Sequence, residues 1–122
     1  MMIHKVIRDP VFKSEVLFYN CKKGDDAIAH ARKKYNITIE NFSGFDGFKG
    51  SCVELYCEKT KITTWLIWIM EKKDWKSMVH ESAHLVFRIL DKRGIKYNSD
   101  NDETWCYLQE FFVAEFWHEM VK

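Results

Sequence analysis

Hydrophobic and polar positions along this chain change their period from segment to segment, and each change marks an element. Residues 15–21, EVLFYNC, are a run of strand-favouring side chains. KKGDD follows with turn residues and acids suited to a helix start, so the pattern predicts a strand and then a helix over 25–35. Residues 41–51, NFSGFDGFKGS, carry three of the five glycines and read as a loop, the expected mobile element, tacked to the body by Phe42, Phe45 and Phe48. From Cys52 to Glu58 a face of Val53, Leu55 and Cys57 alternates with a more polar face of Glu54, Tyr56 and Glu58, which is strand periodicity. KTK then turns the chain into ITTWLIWIM, so 52–58 and 62–70 are expected to form a hairpin.

The second half switches to helical spacing. Asp74 is placed to cap a helix through WKSMVHESAHLVFRILDKR that stops at Gly94, with Lys92 and Arg93 at the negative end of its dipole. The loop GIKYNSDND, 94–102, turns the chain back into a last helix from about Asp102, whose Leu108, Phe111, Phe112 and Phe116 read as a core stripe. The predicted order is strand, helix, hairpin, helix, helix. That is an α+β fold in one domain, 1–122: a small sheet, with a β-hairpin packed on one helix and a C-terminal helix beside it.

Composition narrows the function classes. A 47% hydrophobic and 16% aromatic chain of 122 residues can bury a core without disulfide staples. Nineteen basic against eighteen acidic residues give a net charge of +1, no global field toward nucleic acid or an anionic membrane, though a local patch can still form. In KKGDDAIAHARKK acids interrupt the bases, which argues against nucleic-acid binding there. The longest apolar run, WLIWIM, is far too short for a bilayer, and MMIHKVIRDP lacks signal-peptide regions. Four cysteines without a CxxC pair fit reduced thiols, so the expectation is a soluble cytoplasmic protein.

One motif carries chemistry. Residues 80–84 read His-Glu-Ser-Ala-His, and on a helix residues four apart share a face, so His80 and His84 can meet one ion. Glu81, turned by about 100°, reaches instead a water beside that ion and can act as general base. The flanking apolar residues Met78, Val79, Ala83, Leu85, Val86, Phe87, Ile89 and Leu90 predict a helix buried on most of its circumference. A partly buried polar trio there would be satisfied by a cation with water.

Catalytic zinc takes three protein ligands and leaves a position open. Glu103, in the first turn of the last helix, is the candidate third ligand; it also completes Asp100-x-x-Glu103, a capping box. Cys106, one turn on, is the substitute, since zinc accepts thiolate. Glu110 and His118 lie further along, and His4 and His30 fall in the N-terminal half at positions more often solvated. Tyr97 in the connecting loop is the candidate for oxyanion stabilisation, with Tyr107 second.

HESAH followed by Glu103 resembles the zincin metallopeptidases of the gluzincin kind. Glu103 with Tyr107 four residues on looks like the ImmA/IrrE-like group, and the whole is similar to small zincin-like proteins of bacteriophages. A metzincin continuation is missing, since Phe87, Leu90 and Arg93 stand where its residues would fall; Thr104, Trp105 and Cys106 depart from the ImmA/IrrE pattern. The resemblance spans roughly 52–118. It implies a minimal zincin-like domain with Zn²⁺ on His80, His84 and Glu103 and a peptide or protein substrate. It further implies that ITTWLIWIM forms the sheet edge on which an extended substrate pairs. The expected activity is zinc-dependent peptide hydrolysis; the alternative is a catalytically silent zincin-fold module that binds a partner protein.

Overall fold

A computed structural model describes residues 2–37, 44–45, 47–57 and 60–122. The elements are β1 (Ile3–Arg8), β2 (Glu15–Asn20), α1 (Gly24–Tyr35), β3 (Gly50–Cys57), β4 (Ile62–Ile69), α2 (Trp75–Lys92) and α3 (Asp102–Met120). The expected α+β architecture is present, with one strand more than the pattern marked. β1 escaped because each of its faces mixes an apolar side chain with a charged one: Ile3, Lys5 and Ile7 on one, His4, Val6 and Arg8 on the other. Only Ile7 of the strand is buried. Phe42 and the rest of 38–43, Asp46, and Glu58 at the predicted strand end lie outside the described residues.

The sheet runs β1-β2-β4-β3. β1 pairs antiparallel with β2, β2 parallel with β4, and β3 antiparallel with β4 in the predicted hairpin. The expectation that 62–70 forms the sheet edge is therefore overturned. β4 is central because six consecutive residues, Thr64–Ile69, are buried on both faces, which only an interior strand between two helical layers tolerates. The edge beside the hairpin is β3.

Each face of the sheet carries its own core. On one, Phe18, Trp65, Ile67 and Ile69 meet α2 and α3, where Phe116 stacks on Phe18 at 4.7 Å. On the other, Tyr19, Leu55, Leu66 and Trp68 meet α1 through Ala27, Ile28 and Ala31, and Phe45 stacks on Trp68 at 4.8 Å. Of the three loop phenylalanines, Phe45 is buried and Phe48 is exposed. Among the described residues no helix is long and apolar enough to cross a membrane.

The helix ends that fix the HESAH segment follow the sequence closely. Asp74 accepts from the Ser77 backbone at 3.1 Å and from the Ser77 hydroxyl at 2.6 Å. Gly94, at φ +75°, takes the left-handed turn that lets Ile95 N donate back to Leu90 O at 2.9 Å. The start of α3 differs from expectation. Asn101, not Asp100, is its N-cap, and no side chain caps it, so the Asp100-x-x-Glu103 box does not form. Asn98 instead takes Asp100 N and Asn101 N on its own side-chain oxygen, an Asx turn that competes for the same groups.

Candidate metal centre on α2

α2 presents three faces. Met78, Ser82, Leu85 and Ile89 go into the core; Val79, Ala83 and Phe87 turn toward α3; His80 and His84 point away from the core into solvent. The predicted wide burial of this helix is thus corrected: Val79, Ala83 and Phe87 are exposed along a groove, and the histidines are not part of a buried trio. The His80 side chain is 67% exposed. Glu81 alone is buried, at 9% exposure, where α2 meets β3.

The two imidazoles converge. His80 Nε2 and His84 Nε2 stand 3.2 Å apart, with the rings edge to face at 4.8 Å between centroids. As an isolated pair, one ring donates to the other. Two nitrogens on one tetrahedral zinc, each about 2.05 Å from it, would be separated by about 3.3 Å, so a cation could replace that shared proton with almost no movement. Glu81 Oε2 lies 4.0 Å from His80 Nε2. Burial pushes the Glu81 carboxyl above its ordinary range, against the opposing pull of His80, His84 and Arg88.

Two residues that the motif does not mention shape the pocket of Glu81. A Cβ on Gly50 would come within 3.3 Å of Glu81 Cγ and 3.2 Å of Trp68 O, so the first residue of β3 leaves the room that Glu81 fills. Arg88, two turns after Glu81 on the same face, donates from Nη1 to Cys52 O at 2.6 Å and ties α2 to the edge strand. The seven-residue spacing of Glu81 and Arg88 was the available signal. Cys52 itself is no nucleophile: burial pushes its thiol up to about 12.

The other predicted residues are more scattered. Glu103 is exposed. Trp105 packs on Phe87 at 5.5 Å, which sets the level of α3 against α2; at the standard rise Glu103 then sits about 7 Å along the helix pair beyond His84. Cys106 and Glu110 are nearer that level and line the α2–α3 groove with Val79 and Ala83. Tyr97, 64% exposed, meets Trp105 edge-on at 5.2 Å and not the histidines; Tyr107 is exposed as well. Among the described residues no group of three or more His, Cys, Asp or Glu is placed to hold a metal ion.

His4 and His30 are not solvated singletons. Their rings lie 4.8 Å apart; Tyr35 Oη meets His4 Nε2 at 2.9 Å and Tyr19 Oη meets His30 Nδ1 at 2.7 Å. Only the β1–β2 register, which sets His4 opposite Tyr19, reveals this cluster.

Comparison with protein-family models, with curated proteins and with solved structures finds no match to this chain.

Proposed function

We propose that the protein is a metal-dependent hydrolase of peptide bonds, with a divalent ion such as zinc held by His80 and His84. The observation that carries this reading is the 3.2 Å separation of the two Nε2 atoms on the solvent side of α2, with a buried carboxyl 4.0 Å away. Zinc there would supply Lewis acidity toward water and a substrate carbonyl. Glu81 is the base on this reading: its raised pKa makes the carboxylate a better proton acceptor for the attacking water, and its Oε2 lies 4.0 Å from His80 Nε2.

β3 offers a docking edge. Lys49 O accepts from Met70 N, so the odd-numbered residues bond to β4, while the backbone groups of Gly50, Cys52, Glu54 and Tyr56 face outward. An extended peptide added there would run beside the histidines. α3 supplies the third ligand on this reading, from Glu103 as the zincin resemblance implies, or from Cys106 or Glu110, whose level matches the histidines better. Four free cysteines suit a reducing cytoplasm, and a peptide or protein substrate follows from the exposed edge.

The decisive experiment is digestion of an unfolded-protein library with and without chelator, by wild type and Glu81→Gln. Chelator-sensitive cleavage is expected, absent in Glu81→Gln although that variant keeps its metal. Full activity in Glu81→Gln would reject the mechanism. A second reading, a silent module that binds a partner protein, is favoured by the exposed apolar groove of Val79, Phe87 and Trp105. Metal binding without cleavage of any unfolded protein would select it.

A further inference from the structure

At the opposite end of α2 from His80, three segments distant in sequence bring cations to one concavity. The end of β1 contributes Arg8, the β1–β2 turn Lys13, the β3–β4 turn Lys61, and the end of α2 Lys92 and Arg93. Among the described residues the only acid in its lining is Glu15. A chain of net charge +1 thus gathers five positive side chains in a lining whose one carboxylate, among the described residues, is Glu15.

The partners of these groups separate the anchored cations from the available ones. Arg8 Nη2 is held by Glu15 Oε2 at 2.6 Å, and Lys92 by Glu54 on β3. Arg93 lies over the Phe12 ring at 4.5 Å and donates to Phe12 O at 3.1 Å. Among the described residues Lys13 and Lys61 have no acidic partner. The turn that carries Lys13 is rigid, because the fully buried Asp9 carboxylate accepts from Val11 N at 2.9 Å, Phe12 N at 2.5 Å and Ser14 N at 2.8 Å. A fixed backbone beneath Lys13 removes part of the ordering cost of binding.

Size and floor narrow the ligand. The concavity measures about 580 Å³, within the range of small-molecule sites. Its lining is not purely polar: Trp65 and Ile89 are nearly buried beneath it, and Ile62 is exposed at its rim. An inorganic anion alone would leave the exposed Ile62 uncovered, and a long polyanion needs a basic stripe rather than a cup.

We propose that this cup binds a compact phosphorylated molecule of nucleotide size, its phosphates on Lys13 and Lys61 with Arg8 and Lys92 behind them, and its planar part over Ile62. The site is independent of the histidine pair: Lys92 is eight residues beyond His84, about 12 Å along the helix.

The test is calorimetric titration of the full chain at low salt with ADP, pyrophosphate and a short oligo-dT, with EDTA present so that metal at the histidines plays no part. The variant is Lys13→Gly with Lys61→Gly. Both lysines have φ of 59°, which glycine adopts without strain, so both charges are removed while the turns are kept. Saturable one-to-one ADP binding is expected, tighter than pyrophosphate, weakened at about 0.15 M salt, and reduced at least about tenfold in the variant. The proposal is overturned by the absence of saturable ADP binding, by a variant that binds as wild type does, by pyrophosphate binding as tightly as ADP, or by oligo-dT outcompeting ADP.

Discussion

Zinc should raise the thermal stability of this protein through two exposed side chains that contribute almost nothing to stability without it. His80 and His84 stand on the solvent side of α2 with their Nε2 atoms at 3.2 Å, close to the about 3.3 Å edge of a zinc tetrahedron, so binding requires little rearrangement. A ligand that binds only the native state stabilises it by about 2.7 kcal/mol at one hundred times its Kd. For a chain of this size each kcal/mol moves Tm by about 3–5 °C, so saturating zinc is expected to raise Tm by about 8–13 °C. His84→Ala removes a side chain that touches little else and should change metal-free stability by no more than about 0.5 kcal/mol, yet abolish nearly all of the zinc shift. The assay is differential scanning fluorimetry near pH 7.5, where imidazoles are free to ligate, with Cys106→Ser as a control for thiol capture. If zinc leaves wild-type Tm unchanged, or if His84→Ala keeps the full shift, the histidine pair is not a metal site.

The remaining predictions concern the groups around that pair and the second histidine cluster. Glu81 has a folded-state pKa raised by burial, so its contribution to stability is fully present below its unfolded value and is lost as pH rises through the folded one. Metal-free Glu81→Gln should therefore show a higher urea midpoint than wild type at about pH 7 and a shrinking difference toward about pH 4; a lower midpoint at pH 7 would mean that the carboxylate's contacts with Arg88 and the histidines outweigh its burial. Gly50→Ala places a methyl 3.2 Å from Trp68 O and 3.3 Å from Glu81 Cγ, and should cost about 1–3 kcal/mol in urea unfolding while displacing the Glu81 carboxyl. His4 has its pKa lowered by burial, then by His30 and Lys34, so the unfolded chain takes the proton first. Its stability contribution is present above 6.5 and falls as pH drops toward the folded value. His4→Gln should flatten the decline in urea midpoint between about pH 7 and pH 5, and an unchanged slope would show that His4 is not its source. Asp9→Ala leaves three backbone donors of the β1–β2 turn unsatisfied and should cost about 3 kcal/mol, read as a Tm drop of about 10 °C.

Local signals in the sequence predicted what local physics decides. The Asp74 cap, the Gly94 stop, the β3–β4 hairpin and the i, i+4 convergence of His80 and His84 each depend on residues within a few positions of one another, and all are present. What the pattern missed depends on pairing across the chain. β1 has too little buried surface to print an alternation. The central place of β4 follows from its parallel pairing with β2 some fifty residues earlier, which no local period encodes. Glu103 illustrates the same limit at the site. Its spacing from the motif was legible, but its level against α2 is set by Phe87 on Trp105, and that packing puts Cys106 and Glu110 along the groove of Val79 and Ala83 while Glu103 stands exposed.

The exposure of the histidines also changes what the metal would be for. A buried polar trio would need a cation to remain folded, and chelation would then unfold the protein. Here the core beneath α2 is closed by Met78, Leu85 and Ile89, Ser82 satisfies its hydroxyl on Met78 O at 2.7 Å, and only Glu81 bears a burial cost. Folding of this chain would therefore not require a metal, although a metal bound only by the folded state would still add to its stability. The metal-free protein should be a stable scaffold whose Glu81 is already desolvated and elevated in pKa, and on the proposed reading a metal at His80 and His84 would meet that carboxyl already in place. Arg88 completes the arrangement: by holding Cys52 O it guards the open edge of β3 against pairing with other chains. On the proposed reading, a peptide entering beside Glu81 would either take that carbonyl from the guanidinium or pair with Glu54 and Tyr56 beyond it.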